Sequence, residues 1–524
     1  MTRRTFFSGA LALPPAVAQQ RDKRAGIYVI WYGREPNQEA LLSQPYLKGG
    51  QIVLQWAGVE PERGKYDFSP IDKELAEISR RGWFTTIQIN GNEKPRWLFN
   101  TVPHLPEKLS IQIRDEQGTL MYWHPNHRDA YLNMLDAFSR YVKSSRYRNS
   151  ILGLRMNLNA LGTEHLTVPA EYASPGKWKV PAGVAPETLE PWTPKVAASY
   201  VRTVVDAYVA RFRGLIRIFV RNSIPEEIAA GYRGLFNDGT LSWFHTSSEA
   251  EPRSSGVEIQ YKRFYESCRS GRTTCYAEPW ASAWGHHGGI RDDRWCSPPQ
   301  WFYWRLLSDL HCGVSYIALY ASDLRMAVEG VYRSGDVDYR DTGSYQPEFQ
   351  EAIRFADRYA GYHAMPEASP GAWVAFRENS VVRAANRMPA ERRKLEFQTS
   401  DYNFLMERVE PDKTQGLDVV DVGPPEQRFG AWARILPPGE TMRFRLNEKF
   451  AGSLAKGKAL VNVVFLDEKA GGFEVQAGGE RLSRRLQGSG RWQTAQFPFP
   501  GGTQLHIRGG GAPVRFHMLE IVRG

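Results

Sequence analysis

Through the first two thirds of the chain, short apolar runs alternate with longer amphipathic stretches. The runs are residues 26–32, 50–56, 84–89, 151–158, 216–220, 241–245, 273–277 and 315–320. Each is rich in β-branched and aromatic residues and is bounded by Gly, Pro, Asn or Asp, the pattern of buried strands. Between them the spacing turns helical. Ser69 and Pro70 open a helix carrying Ile71, Leu75 and Ile78, and residues 129–143 place Leu132, Leu135, Phe138 and Val142 on one face. Further helices are predicted at 195–213, 226–236, 259–267, 301–310 and 349–359. Strands that alternate with helices make a parallel sheet, and eight such units close into a (β/α)8 TIM barrel of the α/β class. A doubly wound nucleotide-binding sheet is disfavoured, because no Gly-x-Gly-x-x-Gly follows the first run.

From Ser369 the texture changes. Short alternating runs at 372–376, 442–446, 459–466, 473–476 and 516–522 are separated by Gly, Pro and Asp. That spacing predicts an all-β, jelly-roll-like sandwich. The expected organisation is a leader at 1–18, the barrel at 19–365 and the sandwich at 366–524. The sandwich either binds glycan or buttresses the barrel, and support is the favoured role.

Length and charge narrow the function. A chain of 524 residues exceeds one ordinary core. Its net charge of +10 arises from 67 basic and 57 acidic residues scattered along the chain. No Lys/Arg run resembles a nucleic-acid arm, although the positive balance suits anionic glycans. No run of about 20 apolar residues could span a bilayer. The start, Thr2-Arg3-Arg4-Thr5-Phe6-Phe7, is a twin-arginine pattern, and Ala16-Val17-Ala18 offers a cleavage site. A periplasmic or secreted protein is expected. There, Cys268, Cys275, Cys296 and Cys312 can form one or two disulfides of open pairing, and no Cys-x-x-Cys suggests zinc. His286 and His287 with Asp292 do not make a metal site, since adjacent strand residues point to opposite sides. No cofactor is expected, and nothing sets an oligomeric state.

The candidate chemistry lies at the ends of the apolar runs. Residues 273–277 deliver Glu278, followed by Pro279, Trp280 and Trp284, while the fourth run leads to Thr163 and Glu164. Glycosidic cleavage needs two carboxyl groups on opposite sides of the anomeric centre, one to protonate the leaving oxygen and one to attack or activate water. Asn90, Asn92 and Arg155 are placed to hold sugar hydroxyls or a carboxylate, and Trp280, Trp284 and His286 to line subsites. His245 ends the sixth run and either orients the nucleophile or serves as a structural histidine. Glu249 and Glu251 are rival carboxylates on the next loop, whereas Glu60 and Glu62 brace their own.

The segment 56–68, Trp-Ala-Gly-Val-Glu-Pro-Glu-Arg-Gly-Lys-Tyr-Asp-Phe, resembles the stretch after strand two of clan A glycoside hydrolases, nearest to their β-galactosidase-like members. The resemblance extends over roughly residues 26–362. It implies a retaining double displacement with Glu164 as acid/base and Glu278 as nucleophile. Their carboxyl groups are then expected about 5 to 5.5 Å apart. The clan usually carries Asn before the acid/base, in contact with the sugar 2-hydroxyl; this chain has Thr163 there, a substrate-binding candidate that can still donate but with shorter reach. That departure supports a competing reading, a glycan-binding protein on a degenerate barrel. A third is a polysaccharide lyase using a Tyr or His base, with Arg neutralising a uronate.

Overall fold

Apolar strands flanked by amphipathic helices bury both faces by closing the sheet on itself. The computed structural model describes residues 21–30, 38–221, 224–248, 267–269, 271, 273–279, 281–284, 297–334, 337–340, 345–377, 380–381, 398–399, 401–417, 432–454 and 459–524. Strands β1 (Gly26–Ile30), β2 (Leu47–Gln55), β3 (Phe84–Asn90), β4 (Ile151–Arg155), β5 (Ile218–Arg221), β6 (Leu241–Ser248), β7 (Cys275–Pro279) and β8 (Tyr316–Tyr320) form a closed barrel. All neighbours are parallel, and β8 pairs with β1 to complete the ring.

The barrel is filled by aromatic side chains. Tyr28, Phe219, Phe244, Tyr276 and Tyr316 are buried in one cluster, with ring centroids 5.6 to 6.0 Å apart in edge or tilted contacts. They form a dry floor, above which the C-terminal strand ends carry polar groups.

The periodicity located the elements better than their ends. The helix expected from 129 begins at Pro125, where Asn126 N donates to His124 Nδ1 at 3.2 Å. Capping precedes the first apolar repeat and leaves no periodic signal. The expected helix at 226–236 splits into Glu226–Gly231 and Arg233–Asn237. Strand pairing in β4 stops at Arg155, three residues before its apolar run does. Tyrosines from the outer helices satisfy the exit instead: Tyr131 OH donates to Asn157 O at 2.6 Å and Tyr200 OH to Leu158 O at 2.7 Å. The helix expected at 259–267 falls largely outside the described residues.

Beyond the last barrel helix, Tyr345–Tyr359, two antiparallel sheets face each other. Strand Val514–Arg523 lies between Gly371–Ala375 and Ala433–Leu436 and also pairs with Ala459–Asp467. In Thr441–Leu446, of the other sheet, Met442, Phe444 and Leu446 are buried while Arg443 and Arg445 are exposed. The helix Pro298–His311 is buried along its whole length, because barrel and sandwich both cover it. Tyr303 Oη lies 2.9 Å from His517 Nε2, and the Trp304 ring meets Trp432 edge-on at 4.8 Å. Cys268 and Cys275 form a disulfide, Cys312 is a buried thiol, and Cys296 lies outside the described residues.

Candidate active site

Glu278 shares the inward face of β7 with Tyr276, so strand alternation carries its carboxylate to the barrel mouth. Arg155, the last residue of β4, reaches across: its Nη1 donates to Glu278 Oε2 at 2.6 Å, and its side chain is 2% exposed. Arg221 ends β5, two residues after the inward Phe219, and its Nη1 lies 2.8 Å from Glu164 Oε2. Both guanidinium groups rest on one ring. Arg155 Cζ is 5.2 Å and Arg221 Cζ 5.1 Å from the centre of Phe244. The two glutamates therefore converge on the same small region, each with its own buried counter-charge. Such pairing offsets the desolvation cost that a lone, largely buried carboxylate would carry.

Glu164 is carried by a tight turn. Asn159 and Gly162 both take the left-handed conformation, at φ 49° and 83°. Leu158 N and Asn159 N then donate to Thr163 O at 3.1 and 3.0 Å. Asn159 is completely buried, and a Cβ on Gly91 would lie 2.7 to 2.9 Å from three of its side-chain atoms. The loop after β3 thus packs directly on the turn that positions Glu164. Under that loop, buried Lys94 donates from Nζ to Gly91 O at 2.6 Å, and the Asp115 carboxylate accepts from Lys94 N at 3.0 Å. Burial lowers the Lys94 ammonium to about 8 and raises the Asp115 carboxyl to about 6.

The remaining candidates divide. Asn90 is at the mouth, its Oδ1 accepting from Asn157 Nδ2 at 2.8 Å. Asn92 holds the neighbouring loop, its backbone oxygen accepting from Arg114 N at 2.8 Å. The Thr163 hydroxyl donates to Gln112 Oε1 at 2.7 Å, so its proton is directed at protein. His245 alternates with inward Phe244 and takes the face of Trp243, which stacks on Phe236 at 4.2 Å. Burial, with Arg305 nearby, lowers its imidazole to about 3, a neutral histidine behind the barrel wall. Trp284 stacks on Tyr332 at 4.4 Å and meets Tyr345, so it packs the rim. Trp280, His286, Glu249 and Glu251, with His287 and Asp292, lie outside the described residues. Glu60 braces its loop, accepting from Trp56 Nε1 and Gly64 N at 2.9 Å each, and Glu62 pairs with Lys65 on the surface. Among the described residues no group of His, Cys, Asp and Glu could hold a metal ion, and no helix is long and apolar enough to cross a membrane.

Three contributors escaped the sequence reading. Arg221 had a usable signal, since it stands at a strand end like Glu278. Asn157 was absorbed into the apolar run, and Gln112 lies in a long aperiodic loop that gives no signal.

Glycoside hydrolase family 42, described as β-galactosidase, matches residues 52–152. The β-galactosidase BbgII of Bifidobacterium bifidum is 25% identical over 104 residues, covering 18% of this chain and 14% of that protein. The chain thus spans a small part of the curated relative it matches. Among solved structures, xylanase B from Clostridium stercorarium F9 overlaps at 13% identity with a TM-score of 0.31, over 57% of this chain and 86% of that one. The exo-β-1,4-mannosidase Op5Man5 from Opitutaceae bacterium strain TAV5 overlaps at 10% identity with a TM-score of 0.36, over 66% and 62%. At those values neither overlap bears on this chain's fold or function. The matched segment runs from β2 to the start of β4 of the closed eight-stranded parallel barrel, so over that segment the chain is similar to glycoside hydrolase family 42.

Proposed function

We propose that the protein is an exported retaining β-glycosidase, with β-galactosides as the first substrates to test. The observation that carries this reading is the convergence of Glu278 and Glu164 on Phe244, each through its own arginine. In this scheme a Glu278 oxygen attacks the anomeric carbon while Glu164 gives its proton to the departing glycosidic oxygen. The carbon–oxygen bond to the leaving group breaks as the bond to Glu278 forms. Glu164, now a carboxylate, takes a proton from water, and that water's oxygen displaces Glu278 from the anomeric carbon. The sugar leaves with its original configuration. Arg155 fixes the nucleophile's carboxylate plane, and Arg221 does the same for Glu164. The β-galactosidase description of the matched family motivates the choice of sugar. Export is supported by the twin arginines and by the Cys268–Cys275 disulfide, which suits an oxidising compartment.

Intact mass after incubation with 2-fluoro β-glycosyl fluorides of galactose, glucose, xylose and mannose tests the reading. The expected result is one glycosyl adduct that is absent in Glu278→Gln. Glycan binding without any adduct would replace the enzyme with a binding protein, and an adduct on Glu249 or Glu251 would move the site.

A further inference from the structure

We infer that Gln112 is a positioning residue for the general acid. Its single amide oxygen accepts three hydrogen bonds from the acid-bearing turn: Thr163 N at 3.0 Å, Thr163 Oγ1 at 2.7 Å and Glu164 N at 3.2 Å. The contact is close by construction. A Cβ on Gly162 would lie 2.3 Å from Gln112 Cβ, so a glycine there is what lets the two segments meet.

The segment that supplies Gln112 is itself fixed on two sides. On one, Ser110 Oγ lies 2.6 Å from His165 Nδ1, beside Glu164, and Gln112 N donates to Ser110 Oγ at 3.1 Å. On the other, Arg114 N donates to Asn92 O at 2.8 Å, and the Asp115 carboxylate accepts from Lys94 N. Residues 110–115 therefore tie the loop after β3 to the loop after β4. The Thr163 hydroxyl proton is thus committed to Gln112, and the turn is set from the side. A carboxyl that must meet a glycosidic oxygen within hydrogen-bond reach is sensitive to displacements of about 1 Å.

The inference rests on Glu164 as the acid, and the test separates the two. Gln112→Met removes the acceptor at similar volume, and Gln112→Glu keeps it. Wild type and both variants are assayed, with Glu164→Gln, on dinitrophenyl and phenyl β-glycosides of the sugar that forms the adduct. The first leaving group departs without a proton; the second needs one. Gln112→Met is expected to lose about 30- to 100-fold in kcat/KM on the phenyl glycoside and less than fivefold on the dinitrophenyl one. Gln112→Glu is expected to stay within fivefold of wild type on both. Equal losses on both substrates, or none on either, would overturn the positioning role. If Glu164→Gln itself fails to discriminate between the leaving groups, the assignment of the acid falls instead. Should Gln112→Met not fold, Gly162→Ala forces the same separation and must show the same selectivity for the inference to stand.

Discussion

Gly91→Ala tests whether the loop after β3 holds the Glu164-bearing turn in place. The added methyl would sit 2.7 Å from Asn159 Oδ1, 2.8 Å from Cγ and 2.9 Å from Cβ. Ordinary carbon contacts are about 3.5 to 4 Å, so the two loops must separate by about 0.8 Å. Asn159 cannot swing out of the way: it is fully buried, its backbone is left-handed, and its N is bonded to Thr163 O at 3.0 Å. Overpacking of this kind costs about 1 to 3 kcal/mol. The displacement passes through Asn159 and Thr163 to Glu164, where a shift approaching 1 Å lowers turnover by about 10- to 100-fold. The assay is kcat on a phenyl glycoside, normalised to active sites counted by 2-fluoro adduct formation. Gly58→Ala is the control, because nothing lies within 4 Å of its added methyl. Turnover of Gly91→Ala within threefold of wild type would refute the mechanical coupling.

Other outcomes follow from the same geometry. Arg155→Met removes the partner 2.6 Å from Glu278 Oε2 and should slow adduct formation about 100-fold in stopped-flow mass analysis. Asp323, buried under the loop after β7, accepts from Ala283 N at 3.1 Å, and burial raises its carboxyl to about 7. Its stabilising contribution is complete below the ordinary carboxylate range near 4 and is lost as pH rises through about 7. Asp323→Asn should therefore gain in melting temperature relative to wild type between pH 5 and pH 8. His245 and His363 act on the other side. Burial lowers both to about 3, so the stability they contribute is present above 6.5 and lost as pH falls toward 3, visible as an acid unfolding limb. Trp304→Ala, at the junction with Trp432 and His517, should cost about 3 to 5 kcal/mol in denaturant titration followed by barrel and sandwich probes alike.

What the sequence disclosed follows what local physics can encode. Eight apolar runs were enough for the barrel, because a buried parallel strand must be continuously apolar and a covering helix must be amphipathic. Glu278 was legible for the same reason, as the polar residue that interrupts such a run at its end. Arg155 was legible as a candidate but not as Glu278's partner, since its partner comes from across the barrel. His245 shows the limit of position along the chain. It ends an apolar run, but the alternation that begins with inward Phe244 turns it outward. Gln112 was invisible, because its role depends on a long loop returning to the mouth, and that return has no periodicity.

The buried helix Pro298–His311 bears on the order in which the protein is made. Part of its cover is His517, Trp432 and Asn403, residues synthesised long after the barrel strands. While the chain emerges from the ribosome, the helix Pro298–His311 keeps an uncovered apolar flank until the strand Val514–Arg523 is made. A nascent chain stalled before Val514 should bind chaperones tightly, and one released after Arg523 should not. Under the proposed twin-arginine export, a route that carries folded cargo, the protein is expected to leave only after the strand Val514–Arg523 has closed that flank.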